Sequence, residues 1–164
     1  MQPMRVELLQ SMPIFGAIRD DALLFLLAQA REVSVAAGAY FFRENDPAQS
    51  MFVLETGRVV VLKGWQGRDF VLKRLADGDC FGEMALMDLC PRSASVRAEI
   101  DCVAIELGSG DLLRLFERDA EQFALIQMNM GREVCRRLRA TDELLFRASM
   151  GDAVPGLDTL ARPG

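Results

Sequence analysis

Histidine is absent from this chain of 164 residues. That one absence removes His-based catalytic triads, histidine zinc ligands and a proximal haem histidine. A cupin-like metal site, which draws on the same residue, would have to be built from carboxylates alone. No uncharged apolar run reaches the roughly 18 residues of a membrane span. The first twelve residues carry Arg5 and Glu7 and lack a signal peptide's apolar core and cleavage site, so a cytoplasmic protein is expected. Cysteine is sparse and scattered: Cys80, Cys90, Cys102 and Cys135 make no close pair of the zinc, iron–sulfur or redox kind, and are expected as reduced core residues. Basic charge is also in short supply. A net charge of −5 argues against broad binding to a phosphate backbone, which depends on clustered Lys and Arg.

What is present suits one domain with a sizeable core. Residues 5–31 have helical spacing, with Leu8, Leu9 and Met12, then Leu23 to Leu27 after an expected cap at Asp20. They read as two short helices broken around Pro13 and Gly16. From Glu32 to Leu107 the texture is β-rich: Val33–Val35, Tyr40–Phe42, Met51–Glu55, Arg58–Lys63, Phe70–Leu75, Asp79–Phe81, Ser95–Glu99 and Cys102–Leu107. Turn residues separate these runs, at Ala37-Gly38, Asn45-Asp46-Pro47, Thr56-Gly57, Gly64 to Gly67 and Asp77-Gly78-Asp79. Eight short strands so spaced imply a closed or double-layered β structure.

After Ser109, an expected N-cap, the chain reads as helical to about Met150. There Gly131, Val134, Leu138, Thr141, Leu145 and Ala148 recur at alternating steps of three and four, a narrow seam that suits a partner helix. Homodimerisation through this helix is expected, with packing on the chain's own β structure as the alternative use of the seam. Phe123, Ile126 and Met130 are free to serve the β structure. Domain 1–150 thus comprises helices over 1–31, strands over 32–107 and helices over 109–150. The tail, 151–164, offers little to bury and is expected to be disordered.

One stretch carries chemistry, from Asp79 to Val96. Gly82 lets a ligand approach the backbone. The turn starting at Glu83 would offer free N–H groups to an anion. Arg92 would add a forked guanidinium that matches two phosphate oxygens. Glu83 beside a phosphate makes electrostatic sense when its carboxylate accepts from a neutral donor such as a ribose hydroxyl. A helix start with a surface Arg–Glu pair is the alternative reading of the same residues.

Phe81-Gly82-Glu83-Met84-Ala85-Leu86, a spacer of five, then Arg92-Ser93-Ala94-Ser95-Val96, resembles the phosphate-binding cassette of the cyclic-nucleotide-binding domain family. Gly38, Arg43 to Ala48, Met51 to Leu54 and Gly57 match its upstream signature, with Asn45 where the family often has glycine. The resemblance implies a mainly β fold, an eight-stranded β-roll flanked by N-terminal helices and a long C-terminal helix. It also implies a regulatory protein rather than an enzyme. By resemblance Glu83 accepts the ribose 2′-hydroxyl, Arg92 pairs with the exocyclic phosphate, and Gly82, Ala85 and Ser93 donate from backbone or hydroxyl. Met84 and Ala94 complete that set. Thr141, and Asp142 where relatives carry serine, fall where the catabolite-activator branch contacts the purine. No cofactor is implied beyond the ligand, cyclic AMP by that branch, with cyclic GMP the other candidate.

The activator branch follows its long helix with a DNA-binding domain of about 70 residues, and here a short tail follows, so DNA binding is not expected. The options are a stand-alone sensor acting on a partner protein and a regulatory piece of a longer chain, and the initiating Met and the tail favour the first. The competing function is a nucleotide-independent β-roll that serves in dimerisation or interaction. Intact Gly82-Glu83 and Arg92-Ser93-Ala94 speak against it.

Overall fold

The computed structural model describes residues 2–151. The expected tail lies outside the described residues from residue 152 onward. Two compact units are present, Met1–Met130 and Gly131–Gly164.

The first unit opens with α1 (Gln2–Gln10), a 3-10 turn at Pro13–Phe15 and α2 (Asp20–Gln29). Eight strands follow: β1 (Arg31–Val35), β2 (Tyr40–Phe42), β3 (Ser50–Thr56), β4 (Arg58–Trp65), β5 (Arg68–Ala76), β6 (Cys80–Phe81), β7 (Ser95–Ala98) and β8 (Cys102–Gly108), with α3 (Met84–Asp88) between β6 and β7. After β8 come α4 (Ser109–Arg118) and α5 (Ala120–Ser149), which continues into the second unit. The expected β-roll is therefore present, in two antiparallel four-stranded sheets ordered β1-β8-β3-β6 and β2-β7-β4-β5.

Only β4 and β5 are joined within one sheet; every other connection carries the chain across to the opposite sheet. The tightest crossing is the single residue Gly57, at φ +124°, and the longest is the segment from Gly82 to Ala94. A long loop between two strands of a rigid roll is where a binding group is expected to sit.

Alternation along the strands builds two cores. Between the sheets lie Phe52, Leu54, Val59, Val61, Phe81, Val96, Ala98 and Ala104. On the other face of β3 and β8, Met51, Val53, Ile105 and Leu107 pack with Leu23 and Leu26 of α2, Leu115 of α4, and Ile126 and Met130 of α5. The start of α5 thus serves the roll, as Ile126 and Met130 suggested. Buried Gln122 accepts from the Arg19 amide at 2.8 Å, and Asn129 donates to the carbonyls of Ile14 and Gly16, so polar groups at this seam are satisfied.

Three local expectations are corrected. Arg19, not Asp20, is the N-cap of α2 and makes no side-chain cap bond; Asp20 begins the helix, where its charge suits the dipole. Gly108, not Ser109, caps α4, and its amide is bound by Asp111 Oδ2 at 2.8 Å. Asp111→Ala should therefore cost about 1 kcal/mol, read as a lower Tm in thermal melting. Cys102 is buried and Cys80 half-buried, but Cys90 and Cys135 are exposed, because the cassette loop and the outer side of α5 hold them at the surface. None of the four is joined in a disulfide among the described residues.

Candidate functional site

The site grows from the corner where β6 ends. Gly82 takes φ +79°, which L side chains rarely adopt, and a Cβ there would lie 2.6 Å from Arg92 Nη1 and 3.3 Å from the Ser50 carbonyl. Its glycine is thus required twice, by conformation and by the approach of Arg92. The chain next forms α3, one turn and a half of helix beginning beside Glu83, and Leu89 closes it in the left-handed region at φ 56°. Pro91 then leads into Arg92.

Two backbone hydrogen bonds hold Arg92 to the β2–β3 loop: its amide donates to the Asp46 carbonyl at 2.9 Å, and its carbonyl accepts from the Asn45 amide at 2.8 Å. Asn45 stands at φ 71°, the conformation that glycine or asparagine tolerates. The upstream signature is therefore a clamp for the cassette. Ser95 adds to it by accepting from the Glu44 amide, while Lys63 bridges the Glu44 carboxylate and the Ser93 carbonyl.

The Arg92 side chain turns inward and is 6% exposed. Nη1 donates to the Gly82 carbonyl at 3.1 Å and Nη2 to Ser50 Oγ at 3.3 Å, both neutral oxygens, while Nε has no partner among the described residues. The guanidinium lies over Phe42, 3.9 Å from the ring centroid. Behind it Phe41, Phe42, Phe52 and Phe81 form one aromatic cluster, with Phe52 and Phe81 stacked at 5.3 Å. Burial pulls the Arg92 pKa below the ordinary arginine value, and the charges of Glu106 and Asp46 offset part of that pull. A cation so placed is stabilised by the cluster's π faces and has no carboxylate at hydrogen-bonding range among the described residues.

Of the sequence-predicted residues, the structure brings Gly82, Glu83, Met84, Ala85, Arg92, Ser93 and Ala94 into this one crossover. Glu83 is 3% exposed, Ala85 and Ala94 are buried, and Ser93 and Met84 are at the surface. Thr141 and Asp142 belong to the second unit, both exposed on α5, and the Thr141 hydroxyl donates to the Arg137 carbonyl at 3.0 Å. Ser50, Phe42, Phe52 and Asn45's clamp were not assigned to the site beforehand. Ser50 could have been noticed as the polar residue heading the apolar run Met51 to Leu54.

A buried arginine bonds the carbonyl of a glycine corner whose next residue is a buried glutamate, and the family model for the cyclic nucleotide-binding domain matches residues 32–119. The chain belongs to the cyclic-nucleotide-binding domain family. It is 30% identical to a cAMP-dependent protein kinase regulatory subunit from Emericella nidulans over 107 residues, 65% of this chain and 26% of that protein. It is 28% identical to a CRP-like cAMP-activated global transcriptional regulator from Mycobacterium tuberculosis, over 92% of this chain and 65% of that one. Among solved structures, the catabolite activator protein of Thermus thermophilus superposes with a TM-score of 0.75 at 28% identity, covering 84% of this chain and 63% of that chain. The cyclic-nucleotide-binding domain therefore spans less than two thirds of each relative's own length. It is a regulatory domain similar to those of the kinase subunit and the transcriptional regulator.

Proposed function

We propose that the chain is a cyclic-AMP sensor, not itself catalytic, that signals to a partner protein in the cytoplasm through its C-terminal helix. The observation that carries this reading is the buried Arg92, which has neutral hydrogen-bond partners and an unsatisfied Nε. The exocyclic phosphate supplies the missing anion, with Gly82, Ala85 and Ser93 as backbone or hydroxyl donors around it and Met84 and Ala94 completing the wall. Glu83 accepts the ribose 2′-hydroxyl. Thr141 and Asp142 of α5 meet the base. Cyclic AMP is favoured over cyclic GMP because both curated relatives above carry cAMP in their names.

Homodimerisation through α5 is part of the same reading. Leu138 and Leu145 of the seam are 58% and 65% exposed, which supports a partner helix there. A net charge of −5 supports a protein rather than a nucleic-acid target. In the switch we infer, phosphate orders the turn that leads from Gly82 to the already held Arg92, and α5 then moves to cover the base, driven by the ligand's differential affinity for the two states.

Thermal melting with cyclic AMP, cyclic GMP and non-cyclic AMP tests the ligand. At a hundred times Kd a ligand adds about 2.7 kcal/mol, a rise on the order of 5–10 °C. A rise with cyclic AMP alone supports the reading; a rise with cyclic GMP alone reassigns the base; no rise with any favours a nucleotide-independent interaction module. Hydrogen exchange over residues 119–150 tests the switch, and protection that cyclic AMP leaves unchanged would sink it while sparing ligand binding.

A further inference from the structure

Ser50 begins β3 and Glu106 lies on β8, where the register pairs Ser50 with Gly108 and Phe52 with Glu106. Ser50 and Glu106 are therefore diagonal neighbours on one face of the sheet. The Ser50 hydroxyl donates to Glu106 Oε1 at 2.8 Å. A serine hydroxyl has a single proton, so with that proton committed to the carboxylate only its lone pairs remain for Arg92 Nη2, which donates to it at 3.3 Å. The result is an ordered line from guanidinium to hydroxyl to carboxylate, charge-assisted at both ends.

This line decides how Arg92 is turned. The ring of Phe42, with its centroid 3.9 Å from the guanidinium carbon, supports the group without choosing which nitrogen faces which partner. The Gly82 carbonyl on Nη1 and Ser50 on Nη2 fix the rotation, and they leave Nε–H, with one N–H on each terminal nitrogen, without a partner among the described residues. Without the carboxylate, Ser50 could turn its proton elsewhere and its oxygen would no longer be held for Nη2. We propose that Ser50 and Glu106 are positioning residues for ligand affinity: Glu106 orients the Ser50 hydroxyl, which locks Arg92 in the pose that receives a ligand phosphate. The proposal rests on the reading that Arg92 takes the phosphate. A preorganised donor binds more tightly because its ordering cost is met before the ligand arrives.

The test is calorimetric titration of cyclic AMP and of cyclic GMP into the full chain, with melting curves on the same samples, for wild type, Arg92→Ala, Ser50→Ala, Ser50→Thr, Glu106→Gln and the Ser50→Ala/Glu106→Gln double variant. Ser50→Ala is expected to weaken binding about tenfold with its melting temperature little changed. Ser50→Thr, which keeps the hydroxyl, should restore wild-type affinity. Glu106→Gln should lose less, and the double variant should match Ser50→Ala alone, because the carboxylate works only through the hydroxyl. Loss of the Glu106 contact with Arg31, at 3.7 Å on the surface, adds little. If Ser50→Ala fails to fold, Ser50→Thr and Glu106→Gln carry the same test: full affinity in the first and reduced affinity in the second are expected, and equal affinity in both overturns the relay. A well-folded Ser50→Ala that binds within twofold of wild type, while Arg92→Ala does not, overturns the proposal and leaves the phosphate reading standing. A wild type that binds neither nucleotide, or an Arg92→Ala that binds as well as wild type, overturns both.

Discussion

Arg92→Ala is expected to remove most of the stabilisation that cyclic AMP confers and to weaken binding by about ten- to a hundredfold. Truncation deletes a charged hydrogen-bond donor, for which the typical cost is about 1.5–3 kcal/mol. Its cause is local, because Arg92 is buried in the crossover and its side-chain hydrogen bonds within the protein go to neutral oxygens. The substitution should leave the roll intact. The Asn45 and Asp46 bonds that hold this segment use the Arg92 backbone, which alanine keeps, and the four-phenylalanine cluster retains its mutual packing. Calorimetric titration of cyclic AMP into both proteins checks this, with circular dichroism to verify the fold. A variant that binds as tightly as wild type would contradict the role given to Arg92.

Gly57→Ala should produce the largest loss of stability among glycine-to-alanine substitutions at the described residues. Gly57 is the one-residue corner between β3 and β4, at φ +124°, and a Cβ there would meet Cys102 Sγ at 2.5 Å, the Cys102 Cα at 2.9 Å and the Asp101 carbonyl at 3.0 Å. A rotamer change displaces the sulfur, but the Cα belongs to the backbone of β8 and can move only with its sheet. The unfavourable φ alone costs about 1–2 kcal/mol, and forcing the two strands apart adds about 1–3 kcal/mol. A total of about 2–5 kcal/mol corresponds to a fall in melting temperature of roughly 6–20 °C for a domain of this size. Gly38→Ala is the matched control, since Gly38 also has a positive φ, +84°, but a Cβ there meets nothing within 4 Å. It should lose only the conformational part. Equal losses in the two variants would show that the Cys102 contact is unimportant.

The strands were legible because turn chemistry brackets each of them: Gly57, Asp77-Gly78 and Asn45-Asp46 all stand at crossings between the sheets. The cassette was legible for a different reason, since Gly82, Glu83 and Arg92 carry their chemistry in residue type and spacing within a short stretch. What the sequence could not convey is contact between distant segments. Ser50 and Glu106 are 56 residues apart and meet only through the β3–β8 register. Phe42 reads as an ordinary strand residue until the fold lays it beneath Arg92. The errors at the helix starts have a related origin. Asp20 and Ser109 are good capping types, but the caps fall one residue earlier, at Arg19 and Gly108, because Gln122 already holds the Arg19 amide and Asp111 holds that of Gly108. At Arg19 a tertiary bond replaces the local one that capping preferences anticipate, whereas at Gly108 the local bond comes from Asp111, three residues on, and not from Ser109. Cys90 and Cys135 show the same limit, for an apolar neighbourhood in sequence does not establish burial when one lies in a crossover loop and the other on the outer side of a helix.

The most direct test of the account is a titration of the isotopically labelled chain with cyclic AMP, followed by amide nuclear magnetic resonance. The account predicts that the amides of Gly82, Glu83, Ala85, Arg92 and Ser93 shift with a single saturating dissociation constant, together with the Asn45 amide that bonds the Arg92 carbonyl. A spectrum unchanged at saturating nucleotide, or one whose shifts fall away from the Gly82–Ala94 crossover, would contradict it.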